Sequence, residues 1–289
     1  MIILTGAAGF IGSYILGYLN KQGIEDVYLF DDMPYGDQYK NLIGKKYKGL
    51  YSTKEIIDNL SAFDCVIHCG ANASTLERDW SSIYESNIVS TRRWHDLCKH
   101  YGKKFIFMSS AAVYGNGNGP VNHYAFSKLT CEQEITNGVI LRLFNVYGPN
   151  EYHKGRMAST PFHWYRQLEN NLILKIFNNS ENYLRDFIYV EDVAKTVHHF
   201  INNYKEGLYD LGTGNAVSFD RVADLCLQEI GYGTKISIDM PNDLKEQYQE
   251  YTCASVQFLE DAGVDVKGFF NIDQGIKEYF NYLKTNQIY

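Results

Sequence analysis

The sequence predicts an α/β fold, a doubly wound parallel sheet joined to a smaller mixed α/β C-terminal lobe. Three observations carry this. Short apolar runs alternate with amphipathic stretches through the first half of the 289 residues, as strands covered by crossover helices do. The first run leads straight into Gly6-x-x-Gly9-x-x-Gly12, which opens a helical stretch. Asp31 closes the second strand, 19 residues beyond Gly12. Together they describe a Rossmann-type sheet.

The elements follow in order. Strands are expected at Ile2–Thr5, Val27–Phe30, Asp64–His68, Lys104–Ser109 and Gly138–Leu143. Between them the apolar spacing becomes helical, over Phe10–Gln22, Ser81–Tyr101 and about His123–Thr136. After Tyr147-Gly-Pro149 the texture changes to a loop-rich stretch reaching about Arg185, with one helix near Pro161–Asn170. The first-half pattern then returns as Phe187–Val190, a helix over Val193–Asn203 and a strand over Leu208–Leu211. A helix over Phe219–Gly231, a short strand over Ile236–Ile238 and a helix over Asp273–Thr285 complete the chain. Residues 1–147 with about 186–212 are expected to form the NAD(P)-binding domain. Residues of about 148–185 with 213–289 are expected to form the substrate-binding lobe.

Composition removes several function classes. Hydrophobic residues make up 45% and charged residues 21%, ordinary for a globular protein. The net charge of −7 disfavours nucleic acid as a partner. No apolar run approaches the roughly 18 residues of a membrane span, and Met1–Thr5 reads as a strand rather than a leader. Cys65, Cys69, Cys98, Cys131, Cys226 and Cys253 lack C-x-x-C spacing, so buried free thiols in a reducing cytoplasm are expected. His198-His199 lacks metal-ligand spacing, and no metal is expected.

The glycines point to a dinucleotide. Gly6, Gly9 and Gly12 permit a tight turn and close approach of a pyrophosphate, which the helix N-terminus then attracts. Asp31 should hold the adenosine ribose hydroxyls. Asp32 adds a second carboxylate that would repel a 2′-phosphate, which favours NAD over NADP, although Lys40 is close in sequence. Gly70 and Ala71, after the third expected strand, suit backbone packing on the dinucleotide.

The chemistry is expected one strand further on. Phe107-Met-Ser-Ser-Ala-Ala-Val-Tyr-Gly115 ends a parallel strand and puts Ser109 and Ser110 at the crevice rim, where a hydroxyl can stabilise developing negative charge. Tyr124 and Lys128 lie four apart on the next helix, on one face. The ammonium should favour the phenolate and lower the tyrosine pKa. With 24 Tyr and 19 Lys, such a spacing arises by chance about 1.6 times, so its weight comes from its surroundings.

With these segments in place, the chain resembles the extended short-chain dehydrogenase/reductase superfamily of nucleotide-sugar enzymes. The matching segments are Thr5–Gly12, Ser109-Ser110-Ala111, Tyr114-Gly115, Tyr124-x-x-x-Lys128, Leu143-Phe-Asn-Val-Tyr-Gly-Pro149 and Arg185-Asp-Phe-Ile-Tyr-Val-Glu-Asp-Val193. The resemblance implies catalysis by Ser110, Tyr124 and Lys128, with Lys128 also on the nicotinamide ribose. It adds Phe10, Ile11, Asn87 and Val146 to the implied cofactor contacts. Asn145–Ser159, Phe177–Asp186 and Leu244–Gln249 are similar to ADP-glycero-manno-heptose 6-epimerases. That similarity implies Lys154 as a second catalytic base facing Tyr124 across the reacting carbon. It also implies substrate contacts at Asn145, Arg156, His163, Phe177, Ser180, Arg185 and Tyr248.

There are departures. Arg156 stands where those enzymes have a small serine. Gln38 replaces a basic residue associated with NADP, and Asp32 replaces a neutral amide; both favour NAD. The segments between Gly115 and Tyr124 and between Lys128 and Gly138 are shorter. The implied function is epimerisation of a nucleotide-diphosphate sugar by transient oxidation, for surface-polysaccharide assembly, in a homo-oligomer. A reductase or dehydratase on another nucleotide sugar is the alternative, as is a non-catalytic binder. Ala111-Ala112 stands where a 4,6-dehydratase would carry acids, and the intact Ser110, Tyr124 and Lys128 argue against a binder.

Overall fold

The computed structural model describes residues 1–34, 36–55, 62–241, 245 and 248–285. Residues 244, 246 and 247 of the Leu244–Gln249 segment lie outside the described residues. In chain order the strands are β1 (Ile2–Thr5), β2 (Val27–Phe30), β3 (Gly49–Tyr51), β4 (Cys65–His68), β5 (Lys104–Ser110), β6 (Val139–Leu143), β7 (Val146–Tyr147), β8 (Ile173–Phe177), β9 (Leu184–Asp186), β10 (Ile188–Tyr189), β11 (Gly207–Leu211), β12 (Ala216–Ser218), β13 (Thr234–Ile238) and β14 (Tyr251–Thr252). Seven form one sheet in the order β11-β6-β5-β4-β1-β2-β3. Every pairing in it is parallel. The expected doubly wound α/β fold is what forms.

The apolar strands bury both faces, and the period of two assigns each residue to a side. Ile2, Leu4, Cys65, Ile67, Ile106, Met108, Val139 and Leu141 pack in one core, with Ile15 and Leu16 of helix α1 (Phe10–Lys21). Ile3, Val66, Phe105, Phe107 and Ile140 pack on the other side with Trp94 and Cys98. A third core joins Phe162, Trp164, Leu174, Val222, Ile276 and Phe280, outside the main sheet. Leu259, Val264 and Val266, late in the chain, pack back against the first core.

Several elements differ from expectation. The stretch Ser81–Tyr101 is not one α-helix. It runs as α2 (Trp80–Ile83), a π-helical turn over Tyr84–Val89, and α3 (Ser90–Tyr101). The strand expected at Phe187–Val190 is only β10, because Val190 already begins helix α6 (Val190–Asn202). The loop-rich stretch holds β8 and β9 besides α5 (Thr160–Asn171), and the expected Ile236–Ile238 strand extends back to Thr234 to pair with β8. Among the described residues, no helix is long and apolar enough to cross a membrane.

Candidate active site

The glycine loop is set by the backbone. Gly6 adopts φ +63°, and a Cβ there would lie 2.6 Å from the Gly70 nitrogen. A Cβ at Gly12 would lie 2.2 Å from the Gly6 carbonyl oxygen. Only glycine lets β1, the turn and the loop after β4 close this tightly. Helix α1 starts at Gly9 with no side-chain cap, which leaves its N-terminal N–H groups for an anion. The Asp31 carboxylate accepts from the amides of Ala8 (2.9 Å) and Met33 (2.7 Å), which fixes it beside the loop. Burial still raises its pKa, with those amides opposing the rise. These residues fit a dinucleotide diphosphate and ribose.

Asp32 turns to a different task. It accepts from Ser52 Oγ (2.7 Å), the Thr53 amide (3.0 Å) and the Thr53 hydroxyl, and so holds the segment after β3. Gln38 is buried and lines the crevice over the glycine loop. That crevice, about 160 Å³, is also lined by Phe10, Ile11, Ala71, His153 and Lys154. Asn87 is fully buried, and its amide is occupied. Its Oδ1 accepts from the Asn72 amide (2.7 Å), and its Nδ2 donates to Asn72 O (3.1 Å) and to Ser127 Oγ (2.9 Å). It therefore positions the Gly70–Asn72 loop against the helix α4 (His123–Glu134). Val146 lies on β7, paired with Ile188.

Ser110, Tyr124 and Lys128 come together. Ser110 ends β5, and its hydroxyl hydrogen-bonds the Tyr124 phenol and accepts from the Ala112 amide at 3.1 Å. Asn122 caps α4 by accepting from the Ala125 amide (2.9 Å), which places Tyr124 in the first turn and Lys128 one turn below. Lys128 Nζ donates to the Met108 carbonyl at 2.7 Å and sits 4.6 Å from the Phe107 ring centroid. Burial lowers its pKa to about 8. The expectation that Lys128 depresses the Tyr124 pKa does not hold here. The ring centroid of Tyr124 is 6.0 Å from Nζ, whose charge is turned to a carbonyl, and burial raises the phenol's pKa, with only the Ser110 hydrogen bond opposing it. Behind them Glu132 accepts from Ser109 Oγ (2.5 Å) and pairs with Arg142 (2.6 Å), locking α4 to β5 and β6.

Lys154 lines the crevice over the glycine loop. It lies on the turn Tyr152–Met157, with Nζ 5.1 Å from the Phe10 ring centroid. Burial lowers its pKa, and the charge of Glu151 opposes the shift. The turn is stapled on both sides. Asn41 Nδ2 donates to Ala8 O (2.9 Å) and to Asn150 O (3.1 Å), and Tyr152 donates to Asp37 O (3.0 Å). On the other side buried Glu151 accepts from Ser159 Oγ (2.6 Å) and Tyr279 (2.8 Å). Asn41, Glu151 and Tyr279 were not foreseen, because no local sequence pattern ties them to this turn. Arg156 is exposed on the same turn.

Tyr248, Phe177 and Asn145 lie around Arg185 and Asp186. The Arg185 guanidinium lies 5.2 Å from the Tyr248 ring and 5.7 Å from the Phe219 ring, and donates to Leu184 O at 3.0 Å. Tyr248 also meets Phe177 (6.2 Å) and Tyr183 (4.9 Å). Tyr183 and Phe219 went unrecognised in the sequence, where they are ordinary aromatics. Asp186 does not pair with Arg185. It is fully buried and accepts from the amides of Thr213 (2.8 Å), Gly214 (2.8 Å) and Ala254 (3.1 Å). Ser180 is buried at the start of a 3-10 turn, and Asn145, at φ +30°, donates to Asp186 O at 3.0 Å. His163 lies half-buried in the first turns of α5, with its ring beside Phe162. The six cysteines are free; Cys69 and Cys253 are half-buried rather than buried.

Residues 2–212 match the NAD dependent epimerase/dehydratase family. The chain belongs to that family. NAD is therefore its cofactor, in keeping with Asp31 beside an uncapped helix start. The chain is 38% identical over 315 aligned positions to the ADP-L-glycero-D-manno-heptose-6-epimerase of Brachyspira hyodysenteriae, covering 99% of this chain and 98% of that protein. The crystal structure of the Helicobacter pylori ADP-L-glycero-D-manno-heptose-6-epimerase superposes with a TM-score of 0.83 at 25% identity, covering 99% of this chain and 96% of that one. UDP-N-acetylglucosamine 4-epimerase from Methanobrevibacter ruminantium shares the fold, with a TM-score of 0.85 at 23% identity and 98% coverage of both chains.

Proposed function

We propose that the chain epimerises ADP-glycero-manno-heptose at C6 by transient oxidation and re-reduction. The observation that carries this is that one fold holds the dinucleotide loop, the Ser110, Tyr124 and Lys128 group, and Lys154 lining the glycine-loop crevice beside Phe10. Burial raises the Tyr124 pKa and lowers that of Lys154. Inversion through a carbonyl needs one acid and one base. The 38% identity to a heptose epimerase over nearly the whole chain supports the substrate.

Bound NAD supplies a hydride acceptor and then the hydride donor, so net redox change is zero. Gly6, Gly9, Gly12 and the N–H groups of Phe10 and Ile11 would hold its diphosphate. Asp31 would hold the adenosine ribose and Lys128 the nicotinamide ribose. In one half of the reaction the Lys154 amine takes the proton of the sugar hydroxyl. Ser110 donates to the sugar oxygen, and Tyr124 returns a proton to that oxygen after the second hydride transfer; the reverse direction exchanges the two roles. Arg185 suits a diphosphate oxygen as a planar, always-charged donor. Tyr248, Phe177, Ser180, His163, Asn145 and Arg156 would complete the substrate side.

Incubation with one C6 epimer of the ADP-heptose, without added cofactor, tests the reading by NMR. Both epimers should appear. A keto or deoxy product moves the reading to net oxidation or dehydration, and unchanged sugar overturns it. We further infer a homo-oligomer. Exposed Trp80 and Phe126, with ring centroids 5.7 Å apart, form an apolar surface suited to a second copy; light scattering at the monomer mass would refute this. The free thiols fit a cytoplasmic enzyme.

A further inference from the structure

Three buried polar side-chain atoms have no hydrogen-bond partner among the described residues: His95 Nε2, Tyr147 Oη and Thr252 Oγ1. The first two are closed in by packing. Tyr147 Oη would lie 1.9 Å from a Cβ at Gly275, and the His95 ring lies edge-on to Phe105 at 5.6 Å. Thr252 differs in its neighbour. On β14 it is the parallel partner of Arg185 on β9. Registered residues of neighbouring strands project from the same face of a sheet, so the Thr252 and Arg185 side chains leave their strands on one side.

Arg185 is itself short of partners. It is buried, yet its one hydrogen bond among the described residues goes to the carbonyl of Leu184, and its other neighbours are the rings of Tyr248 and Phe219. Asp186, the adjacent acid, is taken up by backbone amides. A buried hydroxyl and a buried cation on one face of a sheet, with no acidic partner for the cation among the described residues, each lose hydrogen bonds that water would supply. One anionic ligand would satisfy both.

We propose that Thr252 is a substrate-binding residue whose hydroxyl donates, beside Arg185, to the diphosphate of the nucleotide sugar. This rests on the nucleotide-sugar reading above. Threonine is suited to the position because its branched carbon fills the strand while its hydroxyl, with no partner among the described residues, stays available as a donor.

Calorimetric titration of the NAD-saturated protein with ADP tests the assignment. Thr252→Val keeps the shape and removes only the hydroxyl. Its Kd for ADP should rise about tenfold, equal to about 1.4 kcal/mol. Its melting temperature should stay level or rise, since a buried unpartnered hydroxyl is removed. Thr252→Ser, which retains the donor, should bind ADP within about twofold of wild type. Bound NAD should be equal in all three, which separates this subsite from the glycine loop. Unchanged ADP affinity in Thr252→Val, with wild type binding, overturns this assignment alone. Wild-type protein that binds neither ADP nor UDP overturns the nucleotide-sugar reading and this assignment together.

Discussion

The glycine-loop end of the sheet and the Arg185 cluster treat polar groups in opposite ways. Around the loop nearly every side chain is spoken for. Asp31 holds two amides, Asp32 holds Ser52 and Thr53, and Asn87 ties a loop to α4. What remains for a ligand's diphosphate there is backbone: an uncapped helix start and the space left by missing Cβ atoms. Around Arg185 the backbone is satisfied by short sheets and the side chains are left over, a guanidinium among rings and a hydroxyl with no partner among the described residues. A site made from backbone suits a group common to all dinucleotides. A site made from side chains can be retuned for one substrate.

The largest effect expected belongs to the proposed acid and base. Tyr124→Phe and Lys154→Ala should each lower turnover by about 10²–10⁴-fold, the range for losing a positioned acid or base. NAD content, read by chromatography after denaturation, should not change. Near-normal turnover in the Lys154 variant would remove the two-base reading.

Gly12→Ala attacks the backbone-built site directly. Its Cβ would lie 2.2 Å from the Gly6 oxygen, a clash that no side-chain rotation relieves. The protein should purify without NAD and lose about 1–3 kcal/mol of stability. Full NAD occupancy in this variant would show that the loop is softer than its geometry implies. Arg185→Leu makes the converse change. KM for the nucleotide sugar should rise about 10- to 100-fold, as expected for a lost charge-assisted contact. NAD content should hold, and the melting temperature should not fall, because burying an unpaired cation is itself costly. Loss of NAD from the Arg185 variant would erase the distinction between the regions.

The same contrast governs what could be read beforehand. The cofactor side was legible because its signals are local: apolar strands, three glycines and an acid within the first 31 residues. The Tyr124–Lys128 spacing and Ser110 were legible for the same reason. Strand β3 was not, since Gly49–Tyr51 is short and leaves Leu50 exposed, so no apolar run marks it. Nor was β8, whose alternation of exposed and buried residues is completed by β13 some 60 residues later. Tyr183, Phe219, Asn41 and Thr252 acquire meaning only from distant partners. The raised pKa of Tyr124 was also illegible, because spacing gave the lysine's proximity but not its carbonyl partner.

The smallest effect expected is a pH dependence on the sheet side. His68 ends β4 fully buried, between the Thr5 hydroxyl at 2.6 Å and the Thr91 hydroxyl at 3.0 Å. Burial, reinforced by the charge of Lys128, lowers its pKa to about 3. The unfolded chain keeps a value near 6.5. Below that value the unfolded state binds a proton that the folded state refuses. Stability is therefore present above about 6.5 and is lost as pH falls toward 3. The loss is about 1.4 kcal/mol per pH unit inside that window. Urea unfolding at pH 7.5 and 5.5 should show it in wild type. His68→Asn should start less stable, for want of one threonine contact, yet respond less to pH by about 1.4 kcal/mol over that interval. Equal pH responses in the two proteins would mean that His68 titrates normally, and that this part of the sheet is wetter than its packing suggests.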